Sequence, residues 1–523
     1  MGGGAVRVAH TVGQVRAAES ALMATLPPGA LMQRAASALA RRIASLLDPV
    51  YGARVVLLVG AGNNGADALW AGARLARRGA AVMAVCAGTP VADALLALRD
   101  AGGRTIPVGG AAAVLHRADV VVDGLVGIGG RGPLRDDAAQ LAGLAADSAP
   151  GARIVAVDVP SGVDADSGRV DGAAVPADVT VTFGSSKPGL VVSPGAGYAG
   201  LVELVDIGLG PYLPTGVIEL LDATDVAARL PVPTGEATKY SRGVVGVVAG
   251  SDTYTGAAVL ATGGAVRAGA GMVRYAGPPH AAEQVRSRWP EAVVTVVPAG
   301  SPGSAADPDA VLAAGRVQAW VVGPGLGTDA AAATAVEAVL STDVPVLVDA
   351  DGLTVLAQHL EWLERRCAPT LLTPHAGEFA RLMGGERAAV EADRLASARA
   401  AADRLGATVL LKGTTTVVAD PGGTTRVNST GSAWLATAGS GDVLSGACGA
   451  LLAGGLSTLD AGSCGAFLHG LAGLLAAGGA GTGAAGRGSG AGTQAPISAA
   501  DLLGSWSDAE RAVRAPLTVG ARP

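Results

Sequence analysis

The chain has 523 residues, enough for two or three domains at ~100–200 residues each. Half of its residues are hydrophobic, 16% are charged and 3% are aromatic, which supports large cores built from Val, Leu and Ala and excludes a disordered chain. The formal net charge of −6 comes without a basic block and disfavours nucleic-acid partners; Cys86, Cys367, Cys448 and Cys464 form no CxxC pair, which disfavours a zinc site or disulfide framework and fits a reducing cytoplasm.

The N-terminus, MGGGAVRVAH, lacks the charged-then-apolar pattern of a signal peptide. Apolar runs at Arg54–Val59, Ala81–Val85, Asp119–Asp123, Arg153–Val157 and Asp178–Phe183 predict strands buried on both faces, and stretches such as Ala66–Arg78 and Val91–Ala101 predict the intervening helices. This alternation predicts an α/β, doubly wound sheet. Pro- and Gly-rich segments between Gly208 and Gly235 mark a boundary near residue 215, dividing the chain into 1–213 and 217–523. A second α/β series follows at Val244–Ala249, Trp320–Val322, Val346–Asp349, Thr408–Leu411 and Thr416–Ala419. The uncharged stretch Ala461–Gly486 invites a transmembrane reading, but its many glycines, its alanine-dominated apolar content and His469 predict a buried helix running into a glycine loop. Gly478–Gly492 reads as a Gly/Ala surface loop, and a last helix is predicted over Ser498–Arg514.

Three strand ends of the first half carry polar, glycine-rich turns. VGAGNNGADAL (Val59–Leu69) passes from strand to glycine turn to helix, Asp123 precedes GLVGIGGRGPL, and Asp158 precedes VPSGVDADSG. In an open parallel sheet such ends share one crevice, where ligands bind. Asn63, Asn64, Asp67, Asp123, Asp158, Ser161 and Asp164 offer oxygens suited to a hard cation and to ribose hydroxyls. Singly, each aspartate reads as a cap or turn; together they mark a site. In the second half, TAGSGDVLSG (Thr437–Gly446) sets the amides of Gly439, Ser440 and Gly441 at a helix N-terminus with Asp442 in its first turn, an anion hole beside a base. LKGTTT (Leu411–Thr416) offers Lys412 and hydroxyls, VGPGLG (Val322–Gly327) is a second glycine turn, TPHAGE (Thr373–Glu378) carries His375, and Asp349 and Asp351 end another strand.

LMQRAA (Leu31–Ala36), GAGNNGAD (Gly60–Asp67), DGLVGIGGRGP (Asp123–Pro133), VDVPSGVDADSG (Val157–Gly168) and TFGSSKPGL (Thr182–Leu190) resemble the NAD(P)H-hydrate epimerase family over nearly all of residues 5–210. The run Lys239–Val273 together with GPGLG, DADGL, TPHAGE, KGTTT and GSGDVLSG resembles the ribokinase-like superfamily and, more narrowly, ADP-dependent NAD(P)H-hydrate dehydratase over 222–515. The resemblance implies a Rossmann-like doubly wound sheet followed by a ribokinase-like α/β domain. It implies epimerisation of the R and S forms of NADHX and NADPHX, then dehydration of the S form at the expense of ADP, giving AMP and phosphate.

By the same resemblance Asn63, Asn64, Gly65, Ala66, Asp67, Gly127, Ile128, Gly129, Gly130, Arg131, Gly132, Pro133 and Asp158 hold the dinucleotide, with Asp158 as acid/base. Asn64, Asp123 and Ser161 hold K+. In the second domain Ala257, Gly325, His375 and Asp442 contact the hydrate, Asp442 is the base, and Lys412, Gly413, Thr414, Thr415, Thr416 and Gly441 bind ADP with Mg2+. The family also implies a homo-oligomer. Ala66 and Ala68 depart from the family's glycines, Ile128 from its threonine, and Thr238 from its histidine; Lys187, in the KPGL turn, reads as an ordinary surface lysine. Two alternatives remain open at this point: a ribokinase-like vitamin kinase with an N-terminal nucleotide-binding module, and an N-terminal binding module without catalysis.

Overall fold

The computed structural model describes residues 6–148, 151–216, 218–297, 308–478 and 494–515. Two compact units are present, one spanning Val8–Ile218 and the other carried by the chain from Glu219.

In the first unit the strands are β1 (Arg54–Val59), β2 (Ala81–Cys86), β3 (Arg104–Ile106), β4 (Val120–Gly124), β5 (Arg153–Val157), β6 (Val179–Phe183) and β7 (Leu201–Val205). They lie in the order β3-β2-β1-β4-β5-β6-β7, all parallel. Chain direction across the sheet reverses between β1 and β4, and the register Val59↔Gly124 brings the turns after these two strands side by side. That reversal is where an open α/β sheet leaves a crevice at its carboxyl ends. β1 and β4 are buried on both faces, as their unbroken Val/Leu runs require. β3 and β7 escape the sequence reading for a physical reason. β3 is three residues long and largely exposed, and β7 is an edge strand with mixed exposure, so neither makes an apolar run. The helix after β1 starts at Asn63, three residues before the predicted start, because the polar NNG residues form its first turn. Ala66 and Ala68, the departures from the family's glycines, are buried in the core beneath that turn.

The second unit contains β8 (Val244–Val248), β9 (Met272–Gly277), β10 (Val293–Val296), β11 (Ala319–Val322), β12 (Val346–Val348), β13 (Thr370–Leu372), β14 (Thr408–Leu411), β15 (Thr416–Ala419) and β16 (Thr425–Asn428). These follow the order β16-β15-β14-β13-β12-β11-β8-β9-β10. From β14 to β10 neighbours are parallel; β15 and β16 join antiparallel. The switch falls between β8 and β11. β9, β10, β13 and β16 escape the sequence reading: β10 is a short, partly exposed edge strand, and β9, β13 and β16 make no unbroken apolar run. Arg274 interrupts β9 and donates from Nη1 to Ala314 O, and Arg426 interrupts β16, where the carboxylates of Glu219 and Asp460 answer its charge.

Helices Thr255–Arg267 and Ser440–Ala453 pack backbone to backbone: a Cβ at Gly446 would stand 1.9 Å from Ala261 O, and one at Gly264 2.2 Å from Val443 O. This is how a chain poor in aromatics fills its core. The apolar helix spans Thr458–Ala476, and 78% of its most apolar stretch is buried inside the unit, in the core it shares with the Ser440–Ala453 and Ala499–Arg514 helices. The predicted surface loop Gly478–Gly492 lies, beyond Gly478, outside the described residues.

Candidate active sites

In the first unit the turns after β1, β4 and β5 meet over a cavity of about 840 Å3. Asn63, Asn64, Asp67, Gly127, Ile128, Gly129, Gly130 and Asp158 line it, together with Glu19 from the Val12–Met23 helix. The turns touch closely: a Cβ at Gly60 would overlap Leu125 O at 1.8 Å, and one at Gly127 would stand 2.6 Å from Asn64 Oδ1. Not every predicted contact reaches this space. Gly65 is packed against Gly60 O and Ala66 faces the core; Arg131 lines a neighbouring cavity; Gly132 and Pro133 are exposed and line neither.

Asp158 ends β5 with φ +63°, a left-handed conformation rare for a non-glycine residue and held here by its surroundings. Its amide donates to Val181 O at 2.8 Å. Its Oδ1 accepts from Thr182 Oγ1 at 3.0 Å, from the Phe183 amide at 3.2 Å and from Lys187 Nζ. The Lys187 ammonium also donates to Thr182 Oγ1 at 2.9 Å and Phe183 O at 3.0 Å. Lys187 is 1% exposed, so the surface reading of this lysine is wrong: the KPGL turn carries it inward onto the charge of Asp158. Its place in that turn was the available signal; its burial had none.

Asp67, deep in the wall, has an Oδ1 without a hydrogen-bond partner, as does the Nδ2 of Asn64. Burial, then the negative charges of Asp158 and Glu19, push the Asp67 carboxyl well above the usual carboxylate range. Asp123 and Ser161 lie beneath the cavity, fully buried. The Ser161 hydroxyl donates to Asp123 Oδ1 at 2.6 Å and its amide to Oδ2 at 2.8 Å, while the Val126 amide donates to Ser161 Oγ at 2.9 Å. Burial pushes Asp123 up to about 6, against the lowering effect of the Ser161 donors.

In the second unit Asp442 stands in the first turn of the Ser440–Ala453 helix, behind Gly439 at φ +84°. The strand ends bring Lys412 close by: its Nζ donates to Asp349 Oδ1 at 2.7 Å and lies 3.8 Å from Glu378 Oε2, and a Cβ at Gly441 would stand 3.3 Å from it. Asp349 Oδ2 accepts from Ser445 Oγ at 2.6 Å. Burial works against the Lys412 ammonium, and the carboxylates of Asp349 and Glu378 outweigh it, so its pKa is raised. Burial first, and the negative charge of Asp349 second, push Asp442 up to about 7.

β13 and β14 are neighbours, and a bridge between His375 and Lys412 continues their pairing. His375 caps the Ala376–Met383 helix: its Nδ1 accepts from the amides of Gly377 at 3.0 Å and Glu378 at 3.2 Å. That network assigns the ring proton to Nε2 in the neutral tautomer. Gly325 and Ala257 are side by side, since a Cβ at Gly325, at φ +61°, would stand 2.6 Å from Ala257 Cβ. In the KGTTT turn Gly413 and Thr414 are exposed, Thr415 is buried and Thr416 opens β15. Buried Arg394 braces this turn, donating to Leu411 O, Lys412 O and Thr415 O. Sequence reasoning missed Arg394 and Ser445. Arg394 lies in a helix without a motif, and Ser445 sits inside DVLSG but reads as a helix residue.

The dehydratase family model, NAD(P)H-hydrate dehydratase, matches residues 245–486, and a second model, YjeF-related protein N-terminus, matches residues 28–189. The bifunctional NAD(P)H-hydrate repair enzyme Nnr of Mycobacterium tuberculosis (strain CDC 1551 / Oshkosh) is 52% identical over 448 residues, covering 84% of this chain and 88% of its own. The protein of the same name from Salinibacter ruber is 39% identical over 463 residues, covering 81% and 83%. A solved ADP/ATP-dependent NAD(P)H-hydrate dehydratase from Bacillus subtilis, co-crystallised with ATP/Mg2+, is 26% identical and covers 56% of this chain and 97% of its own, with a TM-score of 0.45. Matches to both halves, in order and within single relatives covered over more than four fifths of their length, place the chain in the family of bifunctional NAD(P)H-hydrate repair enzymes.

Proposed function

We propose that residues 1–213 epimerise R- and S-NAD(P)HX and that residues 217–523 dehydrate the S form at the expense of ADP, releasing AMP and phosphate. The observation that carries the reading is the pair of carboxylates at the two crevices: Asp158, locked to Lys187, and Asp442, raised to about 7 beside Lys412.

In the epimerase site Asn63–Asp67 and the loop from Gly127 hold the dinucleotide. Asp158 takes the proton of the C6 hydroxyl as the C6–N1 bond opens to an aldehyde and hands it to N1, and the reverse steps on the other face of the aldehyde close the ring with C6 inverted. Lys187, Thr182 and the Phe183 amide fix the carboxylate that does so. The donor set fits a K+ ion. Asp123 is a fully buried carboxylate whose hydrogen bonds, among the described residues, all come from neutral donors, which leaves its charge to be answered by a cation. Asn64, Asp123 and Ser161 would hold it, and when bound it supplies countercharge beneath the dinucleotide.

In the dehydratase site the amides of Gly439, Ser440 and Gly441 and the Lys412 ammonium receive the phosphoryl group. Asp442 takes the proton of the C6 hydroxyl, whose oxygen attacks the terminal phosphorus of the nucleotide and releases AMP. Phosphate then leaves C6, driven by the ring nitrogen lone pair, and loss of a C5 proton restores the reduced ring. Ala257, Gly325 and His375 position the hydrate, and the turn Lys412–Thr416 holds the nucleotide. Among the described residues no group of three or more His, Cys, Asp or Glu could hold a metal ion. Mg2+ would be carried by the nucleotide phosphates with one or two carboxylates, where it would supply charge neutralisation.

The test uses the purified full chain with a mixed-epimer hydrate, ADP and Mg2+, following the near-ultraviolet absorbance of the reduced ring. Asp442→Ala abolishes its recovery while R/S exchange persists; Asp158→Ala does the reverse. Failure of the wild type with both ADP and ATP, or loss of both activities in either folded variant, sinks the two-site reading.

A further inference from the structure

The cavity above Asp158 continues into a second one of about 350 Å3, and the two share Arg16, Ile128 and Gly130 in their walls. Arg16 belongs to the Val12–Met23 helix, outside the three strand-end turns. It reaches over the β4 turn, its Nη2 3.5 Å from where a Cβ at Gly129 would stand. Arg131, from that same turn, lines the smaller cavity. Both arginines are exposed, and among the described residues neither guanidinium is held in a hydrogen bond or an ion pair.

The two aspartates that line the smaller cavity are already engaged. Asp164 Oδ1 accepts from the amides of Asp166 at 3.1 Å and Ser167 at 2.8 Å and from Ser167 Oγ at 2.8 Å; Asp166 Oδ1 accepts from the Val12 amide at 2.7 Å. Glu19, one turn beyond Arg16, feels its charge without pairing to it. The fold thus spends neither cation on itself and sets both at the rim where the two cavities meet. Planar guanidinium forks match phosphate oxygens, and a dinucleotide, the ligand read into this crevice, carries phosphates.

We propose that Arg16 joins Arg131, which the resemblance already puts among the dinucleotide contacts, in a phosphate subsite of the epimerase at the junction of the two cavities, an inference that rests on the epimerase reading of this unit. The phosphate is either the diphosphate common to both substrates or the ribose phosphate of NADPHX alone, and the experiment separates them. KM and kcat for R-to-S exchange are measured with NADHX and with NADPHX, for the wild type, Arg16→Ala, Arg16→Glu and Arg131→Ala in the full chain. Arg16→Ala and Arg131→Ala raise KM ~10-fold with kcat nearly unchanged, and Arg16→Glu raises it further, the pattern of lost binding rather than lost structure. A rise with both substrates assigns the diphosphate; a rise with NADPHX alone assigns the ribose phosphate. Wild-type exchange with KM unmoved for either substrate in all three variants overturns the subsite alone. Absence of exchange in the wild type overturns the epimerase reading and the subsite with it.

Discussion

Lys187→Met removes one ammonium from a site that is 1% exposed while keeping much of the side-chain volume. The Asp158 carboxylate, its side chain 12% exposed, then retains Thr182 Oγ1 and the Phe183 amide but no cation, and Phe183 O loses a donor. Breaking a buried ion pair from one side costs about 3–5 kcal/mol, because the remaining charge stays desolvated. For a unit of this size each kcal/mol moves the midpoint by about 2–4 °C, so its unfolding falls by roughly 6–20 °C. Scanning calorimetry of the full chain measures this. The double variant Asp158→Asn/Lys187→Met removes both charges together and regains most of the loss, which isolates the pair. Epimer exchange is lost in both variants, and dehydration is retained. A single variant within about 0.5 kcal/mol of wild type, or a double variant no more stable than the single, refutes the argument that this pair is a buried charge couple.

Two further outcomes follow from the second unit. A base works deprotonated, and burial with the charge of Asp349 holds Asp442 at about 7, so dehydration kcat/KM falls ~tenfold per unit as pH drops below that value. A flat profile between about pH 5.5 and 8 contradicts Asp442 as the base. In His375→Asn the new side chain can cap the same Gly377 and Glu378 amides, so stability stays within about 0.5 kcal/mol while KM for the hydrate rises about tenfold. An unmoved KM removes His375 from the substrate site.

Much of the architecture was legible in the residues themselves. β1, β4 and β5 announce themselves as unbroken Val/Leu/Ile runs because both faces are buried, and the glycine-rich turns after them mark where the chain leaves the sheet. Asp123, Asp158 and Asp442 are named by their positions at strand or helix ends, and the motif order carries the family. What the local pattern cannot report is the burial of a polar group whose partner is distant in sequence. Lys187 meets Asp158 across 29 residues, Lys412 meets Asp349 across 63, and Ser445 meets Asp349 across 96. Arg426 breaks a strand pattern and its charge is answered by Glu219 and Asp460 from elsewhere in the fold, while Arg274 breaks another and reaches Ala314 O 40 residues away. The sequence by itself determined the two α/β series, their glycine turns and the carboxylates at their ends, since hydrophobic periodicity and backbone conformation are local. Only the tertiary structure decided which cations those carboxylates meet and which arginines are left facing a cavity, since a charge is stabilised or left free by neighbours that folding alone brings together.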